Sequence, residues 1–143
     1  MDWRQSWQIF ALGSAFFAGL TAIFGKIGVA QINSDLATFL RTVVILFVLA
    51  GVVTLKSQWQ RPEDLPLKSV VFLVLSAIAT GASWLCYYRA LQLGPASKVA
   101  PVDKLSVGFA IVLAYVFLGE KLSLQGAVGG LLVVGGAVVM AFS

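Results

Sequence analysis

The chain has 143 residues, of which 59% are hydrophobic and 11% charged, where an ordinary soluble domain carries about 25% charge. A soluble domain of this size has too little polar surface to cover so much apolar side chain. The net charge of +4 is scattered over short links and helix ends without a basic stripe, which argues against nucleic acid as a partner; the absence of histidine removes the usual zinc, haem and Ser-His-Asp arrangements.

Five apolar stretches follow one another, each of about 19 residues or more, close to the roughly 20 helical residues that cross a bilayer core. A first helix is predicted over 7–25, after a polar start holding Asp2, Trp3 and Arg4. It is longer than a signal h-region and is read as a retained helix. It stops near Gly25-Lys26-Ile27-Gly28, and a turn through Asn33, Ser34 and Asp35, with Ser34 as N-cap, leads into a second helix over 36–55. The link 56–68 is the one strongly polar stretch: Asp64 or Pro66 begins a short turn, and Trp59 suits the headgroup level. A third helix over 70–93 ends at Gly94-Pro95, a strong stop signal. A fourth spans 99–118, and after the tight turn Gly119-Glu120-Lys121-Leu122-Ser123 a fifth spans 124–142. The predicted fold class is an all-α membrane protein, a single domain over 1–143 forming a bundle of five transmembrane helices.

Five crossings put the termini on opposite sides of the membrane. Arg4, Lys56, Arg61, Lys68 and Lys121 share the N-terminal side; Lys26, Arg89 and Lys98 share the other. The positive-inside rule favours a cytoplasmic N-terminus by a margin small enough to permit insertion both ways.

The charges inside the apolar stretches point to function. Lys26, Arg41, Arg89, Asp103 and Lys104 sit in or at the mouths of the stretches, all in the membrane half away from the N-terminus. A charge in hydrocarbon costs about 2.5–3.5 kcal/mol on the mildest scale, so such residues usually face a cavity or a partner. Pro101 removes a backbone hydrogen bond inside the fourth helix and predicts a kink beside Asp103 and Lys104. The plainer alternative is a structural kink with Asp103 paired to Arg41 or Lys26. Arg89 and Lys26 lie near helix ends, where snorkelling accounts for them. Trp84 and Tyr88 are four residues apart and share a face of the third helix; they line a substrate cavity or pack against a neighbour. Cys86, the single cysteine, is read as a packed apolar thiol. The fifth helix carries Gly126, Gly129, Gly130 and Gly136, a small-residue face that permits close helix approach within the chain or with a second copy.

The run Trp84-Leu85-Cys86-Tyr87-Tyr88-Arg89-Ala90-Leu91-Gln92-Leu93-Gly94, then Ala96-Ser97-Lys98-Val99-Ala100-Pro101, then Leu118-Gly119-Glu120-Lys121-Leu122 and the glycine-rich last helix resembles the EamA domain, the repeat unit of the drug/metabolite transporter superfamily. The resemblance covers essentially the whole chain and is strongest over 84–136. Most members carry two inverted repeats; this chain resembles one, of the five-helix bacterial and archaeal type. That implies two copies associating, antiparallel, around a midplane site in the inner membrane, a common transporter plan. It also implies that the first four helices line the cavity and the last helps the dimer. The first helix lacks the embedded glutamate of the four-helix multidrug relatives, and the basic residues lean toward an anionic or zwitterionic solute.

The leading expectation is therefore a small-metabolite exporter working by alternating access, with Asp103 as the coupling group and Arg41 and Lys104 recognising substrate charge. A membrane subunit that only assembles with another protein is the alternative. An enzyme is not expected, since one embedded carboxylate and no nucleophile-base pair leave little from which to build a catalytic site, and no cofactor is implied.

Overall fold

A computed structural model describes residues 6–143. Asp2, Trp3 and Arg4 lie outside the described residues. Within them every regular element is helical. The helices are α1 (Trp7–Gly28), α2 (Ser34–Leu55), α3 (Leu67–Leu93), α4 (Ala96–Asp103), α5 (Ser106–Leu113) and α6 (Leu124–Phe142). A 3₁₀ turn at Pro62–Asp64 precedes α3, and a π-helical turn, Ala114–Leu118, continues α5. α4, α5 and the π turn together make one span, Ala96–Leu118, so five segments are long and apolar enough to cross a membrane. The shortest, α6 with 19 residues, is about 28 Å long at 1.5 Å per residue, close to the ~30 Å hydrocarbon core.

The distribution of side chains is that of a protein solvated by lipid. Phe10, Phe47 and Phe117 are 70, 72 and 78% exposed, while the buried residues are mostly small or polar: Ala22, Ser34, Ala37, Thr38 and Ala137. Lipid tails give apolar side chains no reason to leave the surface, so close packing selects small residues instead. Cys86 follows the same rule: it is exposed on α3 rather than packed as the sequence suggested. Threonine hydroxyls in the spans are satisfied locally. Thr38 and Thr42 donate to the carbonyls four residues back, Ser34 and Thr38, each at 2.8 Å.

The ends of the helices depart from the expected bounds for identifiable reasons. α1 ends at Gly28, inside the expected stop Gly25-Lys26-Ile27-Gly28 and three residues past the predicted bound at 25. Asn33, not Ser34, caps α2. Its side-chain oxygen accepts from the Asp35 and Leu36 backbone N–H groups at 2.8 and 3.3 Å, reaching the second and third helical residues as a cap must, while Ser34 is already the first helical residue. Pro95 ends one helix and starts the next. It stands at φ −70°, ψ 140° before α4, and its carbonyl accepts from Lys98 and Val99, so the fourth span begins at Ala96 and not at 99. Pro62 and not Asp64 or Pro66 opens the turn before α3. Trp59 Nε1 donates to Thr54 Oγ1 at 3.0 Å, which ties the polar link back to the end of α2.

By contacts the chain forms two compact units: the described residues up to Ile27 with Leu93–Ser143, and Gly28–Gln92. In the first, α4 and α5 both pack along α6. The α5–α6 seam is close because two positions lack a side chain: a Cβ at Gly130 would stand 2.6 Å from Ile111 Cδ1, and one at Gly108 would stand 3.0 Å from Val134 Cγ2. The π turn closes on Gly119, which takes the left-handed φ of +67° while the Glu120 N–H reaches back to the Ala114 carbonyl at 3.3 Å. Gly119→Ala is expected to lower stability by about 1–2 kcal/mol, the cost of a left-handed L-residue, although the space around it is open. Thermal unfolding in detergent followed by circular dichroism checks this; an unchanged midpoint would mean the turn relaxes to another conformation.

Candidate functional site

The second unit brings together three of the expected residues. Arg41 is the eighth residue of α2, about 10 Å inside the helix start. Its Cζ lies 4.0 Å over the Trp84 ring centroid and 5.4 Å from that of Tyr88. The i, i+4 spacing puts both rings on one face of α3, and Tyr88 is buried, with its ring edge-to-face against Tyr87. Aromatic faces are negative at their centres, so they hold the guanidinium without neutralising its charge. Arg41 Nη1 is buried and has no hydrogen-bond partner, and Arg41 has no ion pair among the described residues. A buried donor left unpaired costs about 1–3 kcal/mol, more when charged, so an acceptor reaching Nη1 would be favoured.

Arg89, on the same helix, is placed differently. Its Nη1 donates to Gln92 Oε1 at 2.7 Å. Gln92 in turn donates from Nε2 to the carbonyls of Ile32 and Val29 at 3.1 and 3.4 Å, fastening the turn before α2 to the end of α3. Gln92 was missed in the sequence. The signal was there: an amide flanked by Leu91 and Leu93 in a span must find partners.

The first unit holds the other charges. Lys26, in the last turn of α1, donates from Nζ to the Gly94 carbonyl at 2.8 Å, satisfying backbone just past the end of α3. Asp103 pairs with Lys104, its neighbour in sequence, at 3.1 Å. Adjacent residues in a regular helix do not face each other; these meet because α4 ends at Asp103 and Lys104 lies in the break. Downstream of Pro101 the backbone bonds tighten to i→i−3: Lys104 N to Pro101 O, Leu105 N to Val102 O, Val107 N to Lys104 O and Gly108 N to Leu105 O, all 2.9–3.0 Å. The expected kink is therefore a full interruption, with a carboxylate and an ammonium at it.

Of the glycines on α6, Gly130 faces this chain's own α5, and Gly126 lies in the capped first turn, its N–H donating to Ser123 Oγ at 3.0 Å. Gly129 and Gly136 have nothing within 4 Å of where a Cβ would be. An apolar groove of about 630 Å³ runs beside the α5–α6 seam, lined by residues such as Leu105, Phe109, Val112, Leu113 and Leu131. No lining residue is polar, so it cannot solvate a charged solute and is not the site. A smaller hollow of about 320 Å³ is bordered by Tyr115, Glu120 and Lys121 at the turn before α6.

Residues 5–142 match the EamA-like transporter family. The chain is similar to the uncharacterized transporter in the cobO 3' region of Sinorhizobium sp, at 55% identity over 137 residues, covering 96% of this chain and 97% of that protein. No solved structure matches it.

Proposed function

Because the chain belongs to the EamA-like transporter family, and is thereby a multi-pass membrane transporter and not an enzyme, we propose that it exports a small anionic or zwitterionic metabolite, such as an amino acid or organic acid, by alternating access. One observation carries the choice of solute: a guanidinium inside a span, held by two aromatic rings, with no carboxylate paired to it within its own unit. A charge so placed draws its counter-charge from what passes. Asp103 is the coupling carboxylate, at an interrupted helix of the kind that forms ion and substrate sites in transporters. Lys104 modulates it as its ion-pair partner.

The working unit in this reading is an antiparallel homodimer in the inner membrane. One chain supplies five spans, inverted pairs enclosing a midplane site are a common transporter plan, and the glycine face of α6 keeps open space at Gly129 and Gly136 for a second helix. The test of transport is flux: purified protein in liposomes is expected to move organic acids or amino acids saturably, and to move neutral or cationic analogues poorly. Preference for cations, or flux only after a second protein is added, would overturn the reading. Reporter fusions placed after Ser143, active on one side of the membrane only, are expected to give signal on both sides. Signal from one side alone would exclude an antiparallel pair of this chain.

A further inference from the structure

Arg41 offers one positive charge and a limited set of free donors. Its approach to Trp84 covers one side of the guanidinium with carbon, which accepts no ordinary hydrogen bond. The neighbouring hydroxyls on α2 donate elsewhere, Thr38 to the Ser34 carbonyl and Thr42 to the Thr38 carbonyl. The buried donor still unmet is Nη1. A ligand group matched to this needs one negative charge and an oxygen placed for a guanidinium N–H. A carboxylate has both, and guanidinium–carboxylate pairs are among the strongest charge-assisted hydrogen bonds. A dianionic phosphate or phosphonate would bring a second charge that Arg41 cannot neutralise, and uncompensated charge is costly where the dielectric is low. A neutral amide would leave the cation unpaired.

We infer that Arg41 is the docking point for the carboxylate of a monoanionic or zwitterionic solute, with Trp84 and Tyr88 as positioning residues that hold the guanidinium in place. This rests on the transport reading for its purpose but not for its test. Trp84 and Tyr88 set the direction in which Nη1 points; their loss frees a long side chain that must be ordered again on each binding event. Lysine at position 41 keeps the charge but loses the planar donor fork and the stacking.

The test is equilibrium binding of three probes with one shared ring, benzoate, phenylphosphonate as its dianion, and benzamide, to the purified full-length protein in detergent, by titration calorimetry. Benzoate is expected to bind at least about tenfold more tightly than either of the others, the factor that one charge-assisted hydrogen bond supplies. Arg41→Lys is expected to weaken benzoate by about tenfold to a hundredfold. Trp84→Leu and Tyr88→Leu weaken it, while Trp84→Phe and Tyr88→Phe restore most of the affinity by restoring a ring; a purely structural role would not produce that rescue at unchanged thermal stability. If Arg41→Lys does not fold, the Leu and Phe pair at Trp84 carries the test alone. Equal affinity for benzoate and benzamide, or benzoate binding indifferent to these changes, overturns the inference. Parallel flux of benzoate in liposomes separates the two claims. Arg41-dependent binding without any flux upholds the carboxylate site and overturns transport through it; flux indifferent to Arg41 overturns the site and leaves a transporter.

Discussion

Asp103→Asn is expected to abolish solute accumulation driven by a pH gradient in liposomes, while exchange of labelled for unlabelled solute across the same membrane persists. The distinction follows from what asparagine keeps and loses. It is nearly the same size and still accepts a hydrogen bond at the break between α4 and α5, but it cannot release or bind a proton. The cost to folding is small. The Asp103–Lys104 pair is partly open, with the two side chains 34 and 52% exposed, and a pair of that kind contributes at most about 1 kcal/mol. A loss of accumulation with normal thermal stability therefore reports coupling and not damage. Full accumulation with unchanged pH dependence in the Asn variant would remove Asp103 from the mechanism. Lys104→Gln serves as the companion. It removes the ion-pair partner and leaves the carboxylate, so retained accumulation is expected, measured in the same assay.

How far these roles were legible in the sequence depends on the distance over which each signal acts. The five spans were legible because hydrophobic length is a local, additive property, and no tertiary contact can hide some 20 apolar residues in a row. The face shared by Trp84 and Tyr88 was legible because helical periodicity is local too. What Arg41 does with that face was not, since the meeting of residues 41 and 84 depends on how α2 and α3 lie together. The sequence offers Asp103 as a partner for Arg41; the structure lays the guanidinium over two aromatic rings of α3. The interruption at Lys104 was half legible. Pro101 announced the lost hydrogen bond, but the run of i→i−3 bonds that follows, and the ion pair between sequence neighbours that it permits, are cooperative consequences of several residues together. Asn33 and Ser34 are both good caps by residue type, and only the backbone angle, φ −57° and ψ 135° at Asn33, decides between them. The family resemblance, in contrast, rested on short ordered motifs over 84–136 and agrees with the match over 5–142.

Gly108→Leu unfolds the α5–α6 seam, with an expected loss of about 3 kcal/mol or more, at the upper end of what overpacking usually costs. The comparison that makes this more than a bulk effect is between alanines. A Cβ at Gly130 approaches its neighbour more closely than one at Gly108, 2.6 against 3.0 Å, yet Gly130→Ala is expected to be the milder change. Its obstacle is Ile111 Cδ1, the far end of a side chain that can turn about χ2. The obstacle at Gly108 is Val134 Cγ2, fixed to the β-carbon of a residue that has one strongly preferred rotamer in a helix. Alanine also gains about 1 kcal/mol over glycine in helix propensity, enough to offset a methyl that moves aside but not one that cannot. Gly130→Ala should therefore be near neutral, and Gly108→Ala destabilised until Val134→Ala is added. Unfolding midpoints in detergent at two protein concentrations measure all of these, and because the seam lies within one chain the losses should not depend on concentration. Gly129→Leu and Gly136→Leu, where the space is open, should leave the midpoint of the single chain alone and instead lower the dimer fraction and transport together. Unaltered association in both would move the interface off α6, and with it the reading of the glycine face as a meeting surface for two copies.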